Sequence, residues 1–335
     1  MKWNMNKWIN SLLDAKAKKP LPILSFPATQ LMGVSVNELI HDSDIYAEGM
    51  VQVAGITNSA AAVSLMDLSV EAECFGCDVR FEENEIPNVI NSVISSETAA
   101  RNIEVPDIGS GRTGIYLDAL EKAASIISDR PVFSGVIGPY SLAGRLMGVT
   151  ESMYLCMDEP QMVHCVLDKA TEFIINYSKA YKEVGTNGII LAEPLAGVIS
   201  PSMAEEFSSP YVKKIVEAVQ DDSFIVIYHN CGKSASSMTN SIIKTGASVL
   251  HFGNAVDIKA ILDKVPDNIP VLGNVDPAAQ FRNGTPESVR KTTLDLLKSC
   301  GSYRNFIISS GCDIPPSSPW NNIEAFFNAV REYYA

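Results

Sequence analysis

Short apolar runs alternate with longer amphipathic stretches from about residue 130 to the end of the chain. The runs are rich in β-branched residues and bounded by turn residues, which predicts buried strands. They occupy residues 131–137, 188–192, 223–228, 248–252, 270–274 and 305–309, with two more near 21–26 and 61–66. Helix-type periodicity lies near 35–57, 160–184, 201–220, 233–245, 255–264, 285–299 and 320–334. This alternation predicts a parallel sheet covered by helices.

The number of strand–helix units predicts the architecture. Roughly eight units follow one another without a linker, which predicts an α/β fold, a (β/α)8 TIM barrel, with residues 1–335 as a single domain. Residues 1–19 predict an N-terminal helical extension that turns Trp3, Trp8 and Leu12 toward the body. A doubly wound open sheet is the alternative.

Polar residues stand directly after most of the predicted strands. They are Asp67, Glu193, His229, Cys231, Asn254, Asp276 and Cys312. Barrels of this class place their active sites at the carboxyl ends of the strands. We therefore expect one active face, with Asp67 and Glu193 as catalytic carboxylates and with Asn254 and Asp276 orienting ligands or substrate.

A candidate metal site stands out among these residues. His229 and Cys231 are two apart, so in an extended segment both side chains point the same way. Cys312 follows another predicted strand, which a closed barrel can bring alongside. One imidazole and two thiolates favour zinc with one open coordination position, where the metal holds a substrate thiol as thiolate. Glu193 would supply a further ligand or accept the thiol proton.

Two other interpretations of this site remain open. One is a strand-end histidine with two small buried cysteines and no metal. The other is a closed structural zinc site, which the absence of a suitably placed fourth Cys or His disfavours, although Glu193 or Asp67 would offer an oxygen ligand.

Other motifs carry weaker signals. The pair Cys74 and Cys77 predicts small residues that fill a turn, and residues 109–114 predict a flexible loop. Residues 138–145 follow a strand and open a helix, so Tyr140 and Arg145 are candidates for binding an anionic substrate, with a plain turn as the alternative. The remaining histidines, which lack partners at ligand spacing, are expected to be structural: His41, His164 and His251.

Composition narrows the functional class. The net charge of −13 argues against binding to nucleic acid or to an anionic membrane surface. No apolar run approaches the roughly 18 residues that would span a bilayer. Seven cysteines, an odd number, with no signal-peptide pattern predict the reducing cytoplasm.

Several segments together resemble a known family. They are GVIGPYSLAGRLMG (135–148), DLSVEAECFG (67–76), GNVDP (273–277), HNCG (229–232) and SSGCDIPP (309–316). They resemble the uroporphyrinogen decarboxylase superfamily, and within it the corrinoid-dependent methyltransferases of the methylcobamide:coenzyme M type. The resemblance covers nearly the whole chain and implies a (β/α)8 barrel. It also implies zinc bound by a His-x-Cys…Cys pattern, here His229, Cys231 and Cys312.

The decarboxylase branch fits less well. Its Arg-rich N-terminal segment is missing, since the first arginine is Arg80. Gly311-Cys312 stands where the decarboxylases have glycine and histidine, and Arg145 stands where they have a tyrosine. Asp67 matches the position of their catalytic aspartate, but a carboxylate there suits either chemistry.

The resemblance implies a zinc-dependent methyltransferase. It would move a methyl group from a methylated corrinoid to a thiol such as coenzyme M. The chain has no cobalamin-binding Asp-x-His-x-x-Gly segment, so we expect the corrinoid on a separate carrier protein. The alternatives are a metal-free decarboxylase, methyl transfer to another acceptor such as a reduced folate, and a non-catalytic zinc protein that binds a corrinoid carrier.

Overall fold

Seven parallel strands form the centre of the molecule in the computed structural model, which describes residues 3–335. Including a separate hairpin, residues 3–335 form nine strands: β1 (Ala62–Val63), β2 (Val79–Arg80), β3 (Asn88–Val89), β4 (Val132–Ile137), β5 (Gly188–Ala192), β6 (Ile225–Asn230), β7 (Val249–Phe252), β8 (Val271–Val275) and β9 (Phe306–Ser310). The parallel order is β1-β4-β5-β6-β7-β8-β9, and β2 and β3 form a separate antiparallel hairpin.

The segment 20–23, called the closing segment, lies between β9 and β1 and closes the curled sheet into a barrel. The Leu21 amide donates to the Ile308 carbonyl at 3.0 Å, and the Ala60 amide donates to the Pro20 carbonyl at 2.8 Å. The strand predicted near 21–26 is thus an extended segment with isolated bonds rather than a ladder strand. It occupies the eighth position, which agrees with the predicted (β/α)8 barrel.

Helices surround the barrel. They are α1 (Met5–Asp14), α2 (Ala28–Met32), α3 (Val36–His41), α4 (Ser43–Ile56), α5 (Val70–Cys74), α6 (Glu97–Asn102), α7 (Thr113–Ile126), α8 (Pro139–Met147), α9 (Val149–Asp158), α10 (Pro160–Glu183), α11 (Pro201–Phe207), α12 (Ser209–Val219), α13 (Thr239–Lys244), α14 (Ile258–Leu262), α15 (Pro286–Cys300) and α16 (Trp320–Tyr334). Short 3-10 turns cover Leu195–Gly197 and Lys233–Ser236, and a π-helix covers Pro277–Arg282.

Two apolar cores follow from the alternation of side chains along the strands. Outward residues pack against the helices and form the larger core. Inward residues such as Ile190 and Ile307 fill the barrel together with Trp8 and Leu12 of α1. The helix predicted over 1–19 exists over Met5–Asp14, with Trp8 and Leu12 buried against the residues that fill the barrel. Trp3 precedes the helix and packs half-buried against the same core, 15–19 are not helical, and residues 1–2 lie outside the described residues.

Two predicted helices are broken at identifiable residues. The helix expected over 35–57 divides at Asp42, whose side chain accepts the amides of Asp44 and Ile45 and so starts α4. The helix expected over 201–220 divides at Ser208, where a proline stands in the first turn of α12.

The segment predicted as a flexible loop, 109–114, forms turns as far as Arg112. Arg112 in this segment is only 3% exposed, and the helix α7 begins directly after it. A buried guanidinium needs partners, and those partners hold the segment in place.

Candidate metal centre

Three predicted ligands meet at the carboxyl end of the barrel. His229 is the second-last residue of β6, Cys231 follows β6 directly, and Cys312 lies two residues past β9. One ligand atom from each lies within 4.8 Å of the others. Within residues 3–335, no other set of three histidine, cysteine or acidic side chains has its candidate ligand atoms this close together.

The spacing of the donor atoms fits zinc. Zn–S and Zn–N bonds of about 2.3 and 2.0–2.1 Å at a tetrahedral angle place sulfur and nitrogen about 3.5 Å apart. The distance from Cys312 Sγ to His229 Nε2 is 3.5 Å. The nearby Cys312 thiol lowers the pKa of Cys231, and the nearby Cys231 thiol raises the pKa of Cys312.

Two glycines allow the strand ends to approach this closely. A Cβ on Gly253 would lie 2.5 Å from Cys231 Cα, and a Cβ on Gly311 would lie 2.7 Å from the Asn254 amide nitrogen. No side chain fits at either position. These contacts place Asn254 beside the loop that carries Cys312.

A second histidine lies behind the first. His251 in β7 pairs with His229 in β6, and their Nδ1 atoms are 2.7 Å apart. His251 Nε2 lies 2.8 Å from the Ser309 hydroxyl, which donates to the Leu21 carbonyl at 2.7 Å. Burial, followed by the nearby His229, lowers the pKa of His251 well below its usual value, so this ring is neutral.

Sequence reasoning missed the role of this second histidine. His251 is indeed a buried, satisfied histidine, as expected. Its contact with His229 was not predicted, because strand register, rather than spacing along the chain, brings the two rings together. The sequence feature that could have indicated this contact is a histidine, His251, within an otherwise apolar strand.

The Glu193 carboxylate is hydrogen-bonded to helix α8 rather than to the three candidate ligands. Its Oε1 accepts the Ser141 amide at 2.7 Å and the Ser141 hydroxyl at 2.5 Å, and its Oε2 accepts the Tyr140 amide at 3.1 Å. The carboxylate thus satisfies amides in the first turn of α8. Burial raises the pKa of Glu193 to about 7, against opposing hydrogen bonds from Ser141 and Tyr140. This geometry does not support the predicted metal ligand or thiol base.

Asp67 belongs to a buried ion-pair cluster. Arg112 binds it through a short contact and also reaches Glu73 at 2.7 Å. Tyr116 donates its hydroxyl to Asp67 at 2.9 Å, and Ser69 donates its hydroxyl at 2.6 Å. Both carboxylate oxygens are therefore engaged, which does not support the predicted catalytic role. The interpretation of 109–114 as a flexible loop did not predict that Arg112 binds Asp67.

The predicted substrate-binding residues separate into two groups. Asn254 donates to Asp276 at 2.8 Å, and both lie at the barrel mouth near the cysteines. Tyr140 is fully buried in the outer core, with its hydroxyl 3.8 Å from Cys156 Sγ, so it offers no surface to a substrate. Arg145 is half-buried, its guanidinium makes no hydrogen bond within the described chain, and burial lowers its pKa.

Other parts of the molecule are separate from this centre. Cys77 is buried and Cys74 half-buried in the turn that ends α5, as expected for packing residues.

A cleft of about 730 Å³ lies at the opposite end of the barrel, beside Lys18 and Arg331, and contains none of the three ligands. No helix in residues 3–335 combines the length and apolar composition needed to cross a membrane.

Comparison with known proteins identifies the family. The sequence profile described as Uroporphyrinogen decarboxylase (URO-D) matches residues 23–333, almost the whole chain. The chain belongs to the URO-D family. Membership of the URO-D family agrees with the barrel and with the sequence segments that suggested it.

Relatives within the URO-D family include both branches. The methylcobamide:CoM methyltransferase MtbA of Methanosarcina acetivorans is 30% identical over 275 residues, covering 80% of this chain and 78% of that protein. A uroporphyrinogen decarboxylase of Hydrogenovibrio crunogenus is 25% identical over 316 residues, covering 92% and 88%. A solved methyltransferase structure from Methanosarcina mazei superposes with a TM-score of 0.87 at 21% identity, covering 99% of this chain and 100% of that one. The prediction of a methyltransferase of the URO-D family is confirmed.

Proposed function

We propose that the chain transfers a methyl group from a methylated corrinoid to a thiol, with coenzyme M as the first candidate acceptor. The convergence of His229, Cys231 and Cys312 at the carboxyl end of the barrel carries this proposal. Its support from relatives is the methylcobamide:CoM methyltransferase that shares 30% identity.

Zinc is the proposed resident metal, bound by these three residues. Two thiolates and a neutral imidazole balance the charge of Zn²⁺ and leave a fourth position for a substrate sulfur. When bound, zinc would lower the pKa of that thiol, so that the substrate would be present as its thiolate at neutral pH. The thiolates need a reducing compartment, which is why we retain the cytoplasm as the expected location.

The transfer forms one S–C bond and breaks one Co–C bond. The methyl group moves without its bonding electron pair, which stays on cobalt and reduces Co(III) to Co(I), and the thiol proton passes to solvent. The chain contributes positioning. Asn254, held by Asp276 beside the cysteines, is the group best placed to orient an acceptor. We assign no proton transfer to Glu193 or Asp67, because their oxygens are already hydrogen-bonded.

The corrinoid is expected to arrive on a separate carrier protein that docks at the barrel mouth. The barrel interior is filled by apolar side chains, so it has no space for a macrocycle. The partner thus delivers its methyl group from outside the carboxyl face.

The first prediction concerns metal and activity together. The purified protein should contain about one zinc per chain and should demethylate free methylcobalamin when coenzyme M is present. Cys231→Ala and Cys312→Ala should each lose most of the zinc and most of the methyl transfer. Cys300→Ala, a buried cysteine of the outer core, is the matched control and should retain both.

The acceptor panel separates the alternatives. Other small thiols and a reduced folate should be assayed beside coenzyme M, and transfer only to the folate would replace the acceptor assigned here. Full zinc occupancy in both cysteine variants would contradict the site. A metal-free protein that releases CO₂ from a tetrapyrrole acid would instead favour the decarboxylase.

A further inference from the structure

The hydrogen-bond chain behind the metal centre has a determined direction. It runs from the Leu21 carbonyl through Ser309 and His251 to His229. A carbonyl oxygen only accepts, so the contact of 2.7 Å between Ser309 Oγ and Leu21 O requires the hydroxyl to donate. The single hydroxyl proton of Ser309 is therefore used on the side away from the histidines.

The remaining protons follow in order. Since the Ser309 hydroxyl has no second proton, its contact with His251 Nε2 at 2.8 Å requires that nitrogen to carry the hydrogen. A neutral imidazole with Nε2–H has a lone pair at Nδ1. The Nδ1···Nδ1 contact of 2.7 Å then requires His229 to donate its Nδ1–H. The lone pair of His229 is left on Nε2, which faces Cys312 Sγ.

We propose that His251 and Ser309 are positioning residues that hold His229 in the Nδ1–H tautomer, with its Nε2 lone pair directed at the metal site. The inference rests on the proposed zinc function and adds the device that prepares the histidine for it. Metal-bound histidines usually donate their second N–H to a carboxylate, a carbonyl or water. Here the acceptor is a neutral imidazole, which fixes the tautomer without adding a negative charge beside two thiolates.

The barrel construction makes this device rigid. His229, His251 and Ser309 all belong to strands, and the Leu21 carbonyl belongs to the closing segment. The first two are nearest neighbours in parallel register, and all three side chains are 1% exposed or less. Water is thus kept from competing for the ring nitrogens, and the alternative tautomer would leave the Leu21 carbonyl facing a hydroxyl oxygen without a proton.

The direct test reads the tautomers without a metal. The chain has four histidines, so ¹⁵N-histidine labelling and long-range ¹H–¹⁵N correlation resolve each ring, with His41→Gln and His164→Gln variants to assign the signals. In metal-free protein we expect Nδ1–H at His229 and Nε2–H at His251. The reverse pattern at His229 would overturn the proposal.

A pair of serine variants tests the consequence for metal binding. Ser309→Ala removes the acceptor of His251 and should weaken zinc affinity by about 10–100-fold, measured by competition with a chromophoric chelator. Ser310→Ala is the matched control. Its hydroxyl is equally buried and accepts the Ile23 amide at 3.0 Å, but it does not contact either imidazole. Equal losses of affinity in both variants would contradict a specific role for Ser309.

The outcomes separate this inference from the proposed function. The assigned tautomers in a protein that binds no zinc would support the hydrogen-bond chain and overturn the zinc assignment. Zinc binding and methyl transfer with His229 protonated at Nε2 and not at Nδ1 in the metal-free protein would overturn the hydrogen-bond chain and leave the function standing.

Discussion

Single residues at the strand ends have different roles because alternate side chains face opposite sides of the barrel wall. Ala192 pairs with His229 and lies among the residues that fill the barrel. The next residue, Glu193, therefore points outward to the N terminus of α8. The preceding run GIILA is apolar throughout, so the sequence pattern does not reveal which face a residue occupies. A carboxylate at a strand end is thus a poor guide to catalysis unless its face is known.

Glu193→Gln should keep the metal and weaken the fold. The substituted amide presents an N–H group to backbone and hydroxyl donors, so we expect the free energy of unfolding to fall by about 2 kcal/mol. Zinc content should stay at the wild-type level. Urea unfolding and metal analysis of the same preparation measure both quantities.

Ser141→Ala is the companion variant for this prediction. It removes one donor to the same carboxylate, so it should also destabilise the protein while sparing the metal. Loss of zinc from Glu193→Gln with unchanged stability would return Glu193 to the metal centre.

At the scale of elements, strands were easier to predict than the contacts between them. The run 188–192 matches β5, and the runs 248–252 and 305–309 match β7 and β9 within one residue at each end. The reason is that fully buried strands are continuous apolar stretches. The contact between the His251 and His229 rings depends on which strands are neighbours, and the ion pair of Arg112 with Asp67 joins residues 45 positions apart. Neither pairing has a local signal.

The helix α1 should stabilise the barrel from its amino end. Trp8 is 6% exposed, packs against Phe133 in a tilted arrangement with ring centroids 5.4 Å apart, and donates its indole N–H to the Ala60 carbonyl. Trp8→Ala should lower the free energy of unfolding by about 3 kcal/mol, since it leaves a large cavity against the residues that fill the barrel. Urea titration followed by far-UV circular dichroism measures the change.

An exposed residue on the same helix provides the control. Asn10→Ala should change the free energy of unfolding by less than about 0.5 kcal/mol, because its side chain faces solvent. If Trp8→Ala were equally mild, α1 would be an appendage that the barrel does not need.

The whole molecule should lose stability as the pH rises through the weakly acidic range. Glu71 is fully buried, accepts the Ile137 amide through Oε1, and has no partner for Oε2 within the described chain. Burial raises its pKa from 4.5 to about 7. The folded protein therefore binds this proton more tightly than the unfolded chain does. The resulting stabilisation is complete below pH 4.5 and is lost as the pH rises through 7.

Glu71→Gln isolates this contribution, because glutamine resembles the protonated acid and does not titrate. From pH 5 to pH 8 the wild type should lose roughly 2–3 kcal/mol relative to this variant, which follows from 1.36 kcal/mol for each pKa unit. Urea unfolding of both proteins with saturating zinc at each pH gives the difference. Glu121→Gln on the exposed face of α7 controls for loss of a negative charge. A difference between Glu71→Gln and wild type that does not change with pH would show that Glu71 is already ionised in the folded protein.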